Sequence, residues 1–301
     1  MKLKRKIWNW IKKKFRIRSK ESLIAKYKRK VGQKLYKKKY GTSELLSIMK
    51  AMGLQKGANV FIHSSWDEFY NYSGTIDDFI KAILAEIGEN GTLIMPAYPL
   101  LRHPDSIFDI KRTPTRAGLI AEGFRNYPGV KRSVNFHSVC ALGPMSDYLL
   151  NEHQFSVTCW DKRSPFYKLS KINAIIFSMG LGKYFVSTVM HCAESILREE
   201  VSYFSQFFTK EVTYKYRIDD QTIINHSCLT HADNFKLYWT NYSHNRVVRR
   251  YFDPKKYRKI RLSNLTINMY DAEYIINRII ELGRMGITVY LKPDPKKILF
   301  R

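Results

Sequence analysis

From Gly41 onward, short apolar runs alternate with amphipathic stretches, and this alternation restricts the fold more than any other feature of the chain. "TSELLSIMKAMGL" begins with a Thr/Ser cap, repeats apolar residues at helical spacing and meets a stop at Gly53, so it reads as a helix. "ANVFIHSSW" is a short apolar run that turns polar, "IDDFIKAILAEIG" is again helical, and "GTLIMPA" reads as a buried strand. "GLIAEGFRNYPG" (helix), "VCALGP" (strand or turn), "AIIFSMGLG" (strand) and "STVMHCAESILREE" (helix) continue the rhythm. Strands that alternate with helices predict an α/β fold with a central, mainly parallel sheet and flanking helices. Residues 204–245 interrupt it with short alternations of Tyr, Phe, Asn, Thr and His, which read as an inserted β-rich subdomain. "RKIRLSNLTINMYDAEYIINRIIELGRMG" then returns to strand and helix. A chain of 301 residues has ample material for such a core.

The formal net charge is +26, and it is concentrated at one end. Residues 1–40 hold 18 Lys and Arg against the single acid Glu21, which sets them apart as a basic arm before a domain at 41–301. At about 100° per residue, Leu3, Ile7, Trp8, Trp10, Ile11, Phe15 and Ile17 share one half of a helical wheel, opposite Arg5, Lys12, Lys13 and Arg16. A basic amphipathic helix of this kind predicts peripheral contact with a membrane surface. Nucleic acid is the weaker reading, because no helix-turn-helix, zinc-finger or RNP pattern accompanies the charge. No stretch approaches the roughly 20 apolar residues that span a bilayer, and the N-terminus lacks the apolar core and cleavage site of a secretory signal. Cys140, Cys159, Cys192 and Cys228 form no CxxC pair, so reduced thiols and a cytoplasmic address are expected, with the arm at the inner face of the membrane.

Four segments sit at strand ends or loop starts, where ligand sites of open sheets collect. In "VFIHSSW", with "YNYSGTIDDF" after it, Ser64 and Ser65 at a strand end and Gly74 ahead of a helix could bind an anion through unpaired N–H groups. In "GVKRSVNFHSVCALGP", Arg132, Ser133, His137 and Ser138 suit phosphate or amide recognition, and equally a capped turn. "WDKRSPFYKL" reads as a turn with Pro165 opening a helix. In "STVMHCAESILREE", His191 and Glu194 share a helix face at i and i+3. A metal pair would lack the second histidine of HExxH and any visible third ligand. Cys192 adjoins His191, but neighbours on a helix point about 100° apart. A general base held by a carboxylate, or a plain core histidine, would each satisfy the pattern.

Taken in order, "LLSIMKAMGLQKGANVFIHSSW", "SGTIDDFIKAILAEIGENGTLIMPAY", "FDIKRTPTRAGLIAEGFRNYPGVKRSVNFHSV", "SPFYKL" and "STVMHCAE" resemble the aminoglycoside 3-N-acetyltransferase family, across roughly residues 41 to 203. The resemblance implies an α/β fold unlike that of the GNAT acetyltransferases, acetyl-CoA as co-substrate, no metal and a small-molecule amine as acceptor. It makes His191 the catalytic base and Glu194 its companion. It places coenzyme A near His63, Ser64, Ser65, Gly74, Arg132, Ser133 and Ser138, and the acceptor near Asp67, Tyr98 and Thr188. The chain departs from the family pattern at Trp66, at Ala97, at Val134–Phe136 and at Lys162–Arg163, changes that bear on the acceptor more than on the chemistry. Aminoglycosides are polycations, and this chain is basic even without its arm. The charge therefore predicts an anionic, nucleotide- or lipid-linked amino sugar of surface-polysaccharide assembly as acceptor, with aminoglycoside modification as the alternative. An inactive relative that binds a membrane or partner is a second alternative.

Overall fold

A computed structural model describes residues 20–103, 105–181, 188–232 and 241–290, so the apolar face read on residues 3–17 lies outside the described residues. Helices α1 (Lys20–Leu35) and α2 (Thr42–Ala51) lead into strand β1 (Asn59–Ser64). There follow α3 (Ile76–Ile87), β2 (Thr92–Pro96), β3 (Ile107–Asp109), α4 (Leu119–Arg125), β4 (Lys131–Arg132), β5 (Val139–Leu142), α5 (Ser146–Leu150), α6 (Pro165–Lys168) and β6 (Ile175–Met179). The last third holds α7 (Met190–Glu200), α8 (Ser202–Ser205), β7 (Lys210–Arg217), β8 (Ile223–Thr230), α9 (Asn241–Tyr251), β9 (Tyr257–Leu262), β10 (Leu265–Asp271) and α10 (Ala272–Arg284).

Seven strands form the main sheet in the order β4-β5-β2-β1-β6-β10-β9. The parallel part is its centre, where β1 pairs with β2 and β6, while the outer strands join antiparallel. This explains the sequence: β2 is buried at every position because it lies inside a covered sheet. Alternation along the strands then feeds two cores. Val60 and Ile62 enter one, with Phe79, Ile83 and Phe124 of α3 and α4. Phe61, Ile94 and Ile176 enter the other, with Phe166, Cys192, Leu197 and Ile275. His63 follows Phe61 by two residues, and its ring lies edge-on to Phe61 at 4.7 Å, so it faces the second core.

The structure adds detail to two of the segments read from the sequence, of which the first is 204–245. β7 and β8 form a hairpin that pairs with β3 in a three-stranded sheet. Phe204, Phe207, Phe208, Tyr214, Tyr216 and Cys228 sink into the same core as Phe61. The hairpin reads as an insertion only because its strands belong to a second sheet. The second is the basic arm, whose later part packs on the domain. Tyr40 is buried and bridges Tyr72, the Tyr36 carbonyl accepts a 2.9 Å hydrogen bond from Asn71, and Arg29 pairs with Asp67 at 2.7 Å. None of the helices among the described residues is long and apolar enough to cross a membrane.

Candidate active site

The C-terminal ends of β1 and β6 converge on the start of α7. β6 is followed by Gly180, whose φ of +70° favours glycine and where a Cβ would lie 2.7 Å from the Glu68 Cβ and 3.1 Å from the Ser65 carbonyl, so the two strand ends close up. His191 and Glu194 stand one helical turn apart on α7, with His191 Nδ1 2.8 Å from Glu194 Oε2. Glu194 is 1% exposed and holds two further neighbours. The Tyr290 hydroxyl donates to Oε1 at 2.6 Å, and His231 Nε2 lies 3.4 Å from Oε2. Burial alone would raise the Glu194 carboxyl, but the charge and hydrogen bonds of His191 and His231 outweigh it and bring it down to about 2. Burial pushes the Tyr290 hydroxyl well up, so it keeps its proton and remains a donor.

Trp160, 2% exposed, is the hub of the surrounding rings. Its centroid lies 4.5 Å from His137, 5.0 Å from His191 and 4.5 Å from His231, and Phe208 packs beside both Trp160, at 6.0 Å, and His231, at 4.9 Å. Burial, reinforced by His191, pushes His63 down to about 4 and His231 to about 4. His137 is pushed well down by burial and by Arg116. His63, His137 and His231 are thus held neutral in this ring-lined group, His231 directly beside the Glu194 carboxylate. Three buried polar atoms in this group, His63 Nε2, His137 Nδ1 and Trp160 Nε1, have no hydrogen-bond partner among the described residues, the mark of a place built for a polar ligand. A cavity of about 20 Å³ beside Glu194, lined mostly by apolar residues such as Met190, Phe204 and Leu282, has room for water at most and is not that place.

His191, Glu194 and His231 could also present three ligand atoms to a metal, all within 4.8 Å of one another. The distances favour a shared proton. Two ligands on a tetrahedral zinc with bonds of about 2.0–2.2 Å stand roughly 3.3 Å apart, whereas His191 and Glu194 are 2.8 Å apart. Cys192 is fully buried in the core, and burial pushes its thiol well above the ordinary range, so it is no nucleophile.

The structure gathers His63, Tyr98 and Thr188 with this pair. The Tyr98 hydroxyl lies 3.3 Å from Thr188 Oγ1, and its ring is edge-on to His137 at 5.0 Å. Ser64 and Ser65 close β1 beside Met179, where the Ser65 amide donates at 3.0 Å. Other sequence-predicted contacts have partners within the fold. Arg132 donates to the carbonyls of Ala97 and Thr113 and stacks on Phe108 at 4.6 Å, and Ser138 also donates to Ala97. Ser133 shares a 2.8 Å hydrogen bond with His153 and accepts one from the Val139 amide. Gly74 packs against Tyr72, and the helix start after it is closed by a capping box in which the Asp78 carboxylate takes the anion's place. Asp67 is exposed and held by Arg29. An Arg–Ser cluster and a glycine before a helix are ordinary fold-locking devices, and spacing does not distinguish them from anion sites.

Sequence reasoning missed Trp160, His231, Tyr290 and Arg116. The first three meet the pair from separate elements, with no local spacing to announce them. Arg116, exposed, lies 5.8 Å from the Tyr98 ring centroid and 4.9 Å from that of Phe136.

An α/β sheet that brings a His–Glu pair to the ends of its parallel strands defines the class, and the comparisons agree. The family model of aminoglycoside 3-N-acetyltransferases matches residues 61–282, and the chain belongs to that family. It is 29% identical over 169 residues to the SPbeta prophage-derived aminoglycoside N(3')-acetyltransferase-like protein YokD of Bacillus subtilis (strain 168), covering 48% of this chain and 61% of that one. It is 25% identical over 154 residues to aminoglycoside N(3)-acetyltransferase IV of Salmonella sp, covering 50% and 58%. The chain thus spans about three fifths of the curated relatives it matches. The solved structure of AAC-IIIb in binary complex with CoASH superposes with a TM-score of 0.69 at 17% identity, over 82% of this chain and 97% of that one, which shows the shared fold. The family match runs through β7 and β8, so the hairpin lies within the family's extent.

Proposed function

We propose that this chain transfers the acetyl group of acetyl-CoA to an amine of an aminoglycoside-type amino sugar. The observation that carries the reading is the His191–Glu194 pair beside three unpartnered buried polar atoms. Glu194 accepts a hydrogen bond from Nδ1–H of His191, which leaves the Nε2 lone pair to accept a proton from the neutral amine as it attacks. A C–N bond forms at the thioester carbonyl, the C–S bond breaks, and the departing sulfur takes up the proton held by the imidazolium. Glu194 stabilises that imidazolium meanwhile. The unpartnered polar atoms around Trp160, with the Thr188 hydroxyl, fit the carbonyl oxygen and the polar groups of the acceptor. The names of the curated relatives support the aminoglycoside class over the nucleotide-linked sugar that total charge suggested. Total charge, dominated by the arm, does not describe the cleft. One observation favours an anionic acceptor as a second reading: Glu194 is the only acid in the ring-lined group described above, and the exposed cation Arg116 stands beside it.

Release of coenzyme A from acetyl-CoA, followed with aminoglycosides and with nucleotide-linked amino sugars, tests the proposal. Turnover with aminoglycosides, reduced about 10²–10⁴-fold in His191→Ala with acetyl-CoA binding retained, is the expected result. Turnover only with the anionic panel would install the second reading. A folded His191→Ala protein of near-normal kcat would overturn the base assignment.

A further inference from the structure

We propose that α1 is a lipid-docking helix that lays its outward face on an anionic membrane surface. Its inward face is already used. Arg29 pairs with Asp67 and Glu68, and Gly32 comes so close to Tyr70 that a Cβ there would lie 2.4 Å from the hydroxyl. On the outward face Ile24 is 45% exposed, Tyr27 71%, Val31 37% and Leu35 71%. At about 100° per residue these four fall within an arc of about 80°, and the docked face lies about 130° away from its centre. The stripe therefore points into solvent.

Its flanks identify the occupant. Lys28 borders the stripe on one side and Lys34 and Lys30 on the other, all of them exposed. Apolar side chains between rows of lysine match the boundary between lipid headgroups and acyl chains, where lysine stems reach outward to phosphate. A second copy of the same helix would bring lysine rows against each other. Nucleic acid would gain nothing from four exposed apolar side chains. The residues before α1 continue the same basic and apolar composition in the sequence.

The full chain, sedimented with phosphatidylcholine vesicles with and without phosphatidylglycerol, tests the proposal. Binding to the anionic vesicles only, weakened by raised salt, is expected. Ile24→Ser with Val31→Ser and Leu35→Ser keeps the net charge and should lower partitioning at least about tenfold, since each exposed apolar side chain adds to insertion. Replacing Lys28, Lys30 and Lys34 by Gln should weaken binding and flatten its salt dependence. Coenzyme A release in solution should be unchanged in both triple variants. The proposal is overturned if wild-type protein ignores anionic vesicles or binds nucleic acid in their place, if the serine variant partitions like wild type, or if that variant loses a dimer while keeping lipid affinity.

Discussion

Glu194 has two oxygens and three donors around them, and the balance among the donors sets how strongly it holds a charge on His191. His231 is a positioning residue in this scheme. Its ring packs beside those of Trp160 and Phe208, and its Nε2 stands 3.4 Å from the oxygen that also faces His191. In His231→Phe the ring contacts are kept but the Nε2 contact to the carboxylate is lost, so Glu194 is held less firmly against His191. kcat/KM at neutral pH should fall about fivefold, the equivalent of one neutral hydrogen bond of about 1 kcal/mol, with KM for acetyl-CoA unchanged. His231→Gln restores an N–H and should return kcat/KM toward wild type. The two arginines separate in the same spirit. Arg132→Ala strips donors from the Ala97 and Thr113 carbonyls and should cost about 2 kcal/mol in urea unfolding. Arg116→Ala should leave stability alone and raise a substrate KM several-fold.

Elements differ in how plainly the sequence announces them. α3 carries its capping box and apolar face within 14 residues, and β1, β2 and β6 are apolar runs of strand length, so their existence is legible from local pattern. His191 and Glu194 are legible because a helix puts i and i+3 on one face. The β7–β8 hairpin is legible as strands but not as part of the core, because its pairing with β3 joins residues 107–109 to 215–217, a non-local choice. His231 and Tyr290 fail for the same reason, since their distance from Glu194 in space bears no relation to spacing in the chain. The arm divides by element as well. Deleting residues 2–19 should leave melting temperature and turnover close to wild type. Deleting residues 2–40 removes buried Tyr40 and the Asn71 and Ser263 contacts to the Tyr36 and Lys38 carbonyls, and should lower stability by about 2–3 kcal/mol on a denaturant curve.

For the molecule as a whole, acid is the sensitive direction. His63 and His231 at about 4 and His153 at about 3 stay neutral in the fold, all driven down by burial, while the unfolded chain protonates near 6.5. Their folded values are depressed, so the unfolded state binds more protons in this window. Stability is therefore complete above about pH 6.5 and declines as pH falls toward 4, before Glu194, at about 2, adds its own loss below the ordinary carboxylate range. Thermal melts should drop by at least about 10 °C between pH 7.5 and 5, ahead of the usual acid unfolding of carboxylates. The bond from Tyr290 to Glu194 carries a different consequence. It spans 96 residues of sequence, which a ribosome adding 5–20 residues per second takes roughly 5–20 s to make. The emerging chain thus exposes its base long before the phenol that completes the carboxylate's surroundings, so the site is whole only after Tyr290 has left the exit tunnel.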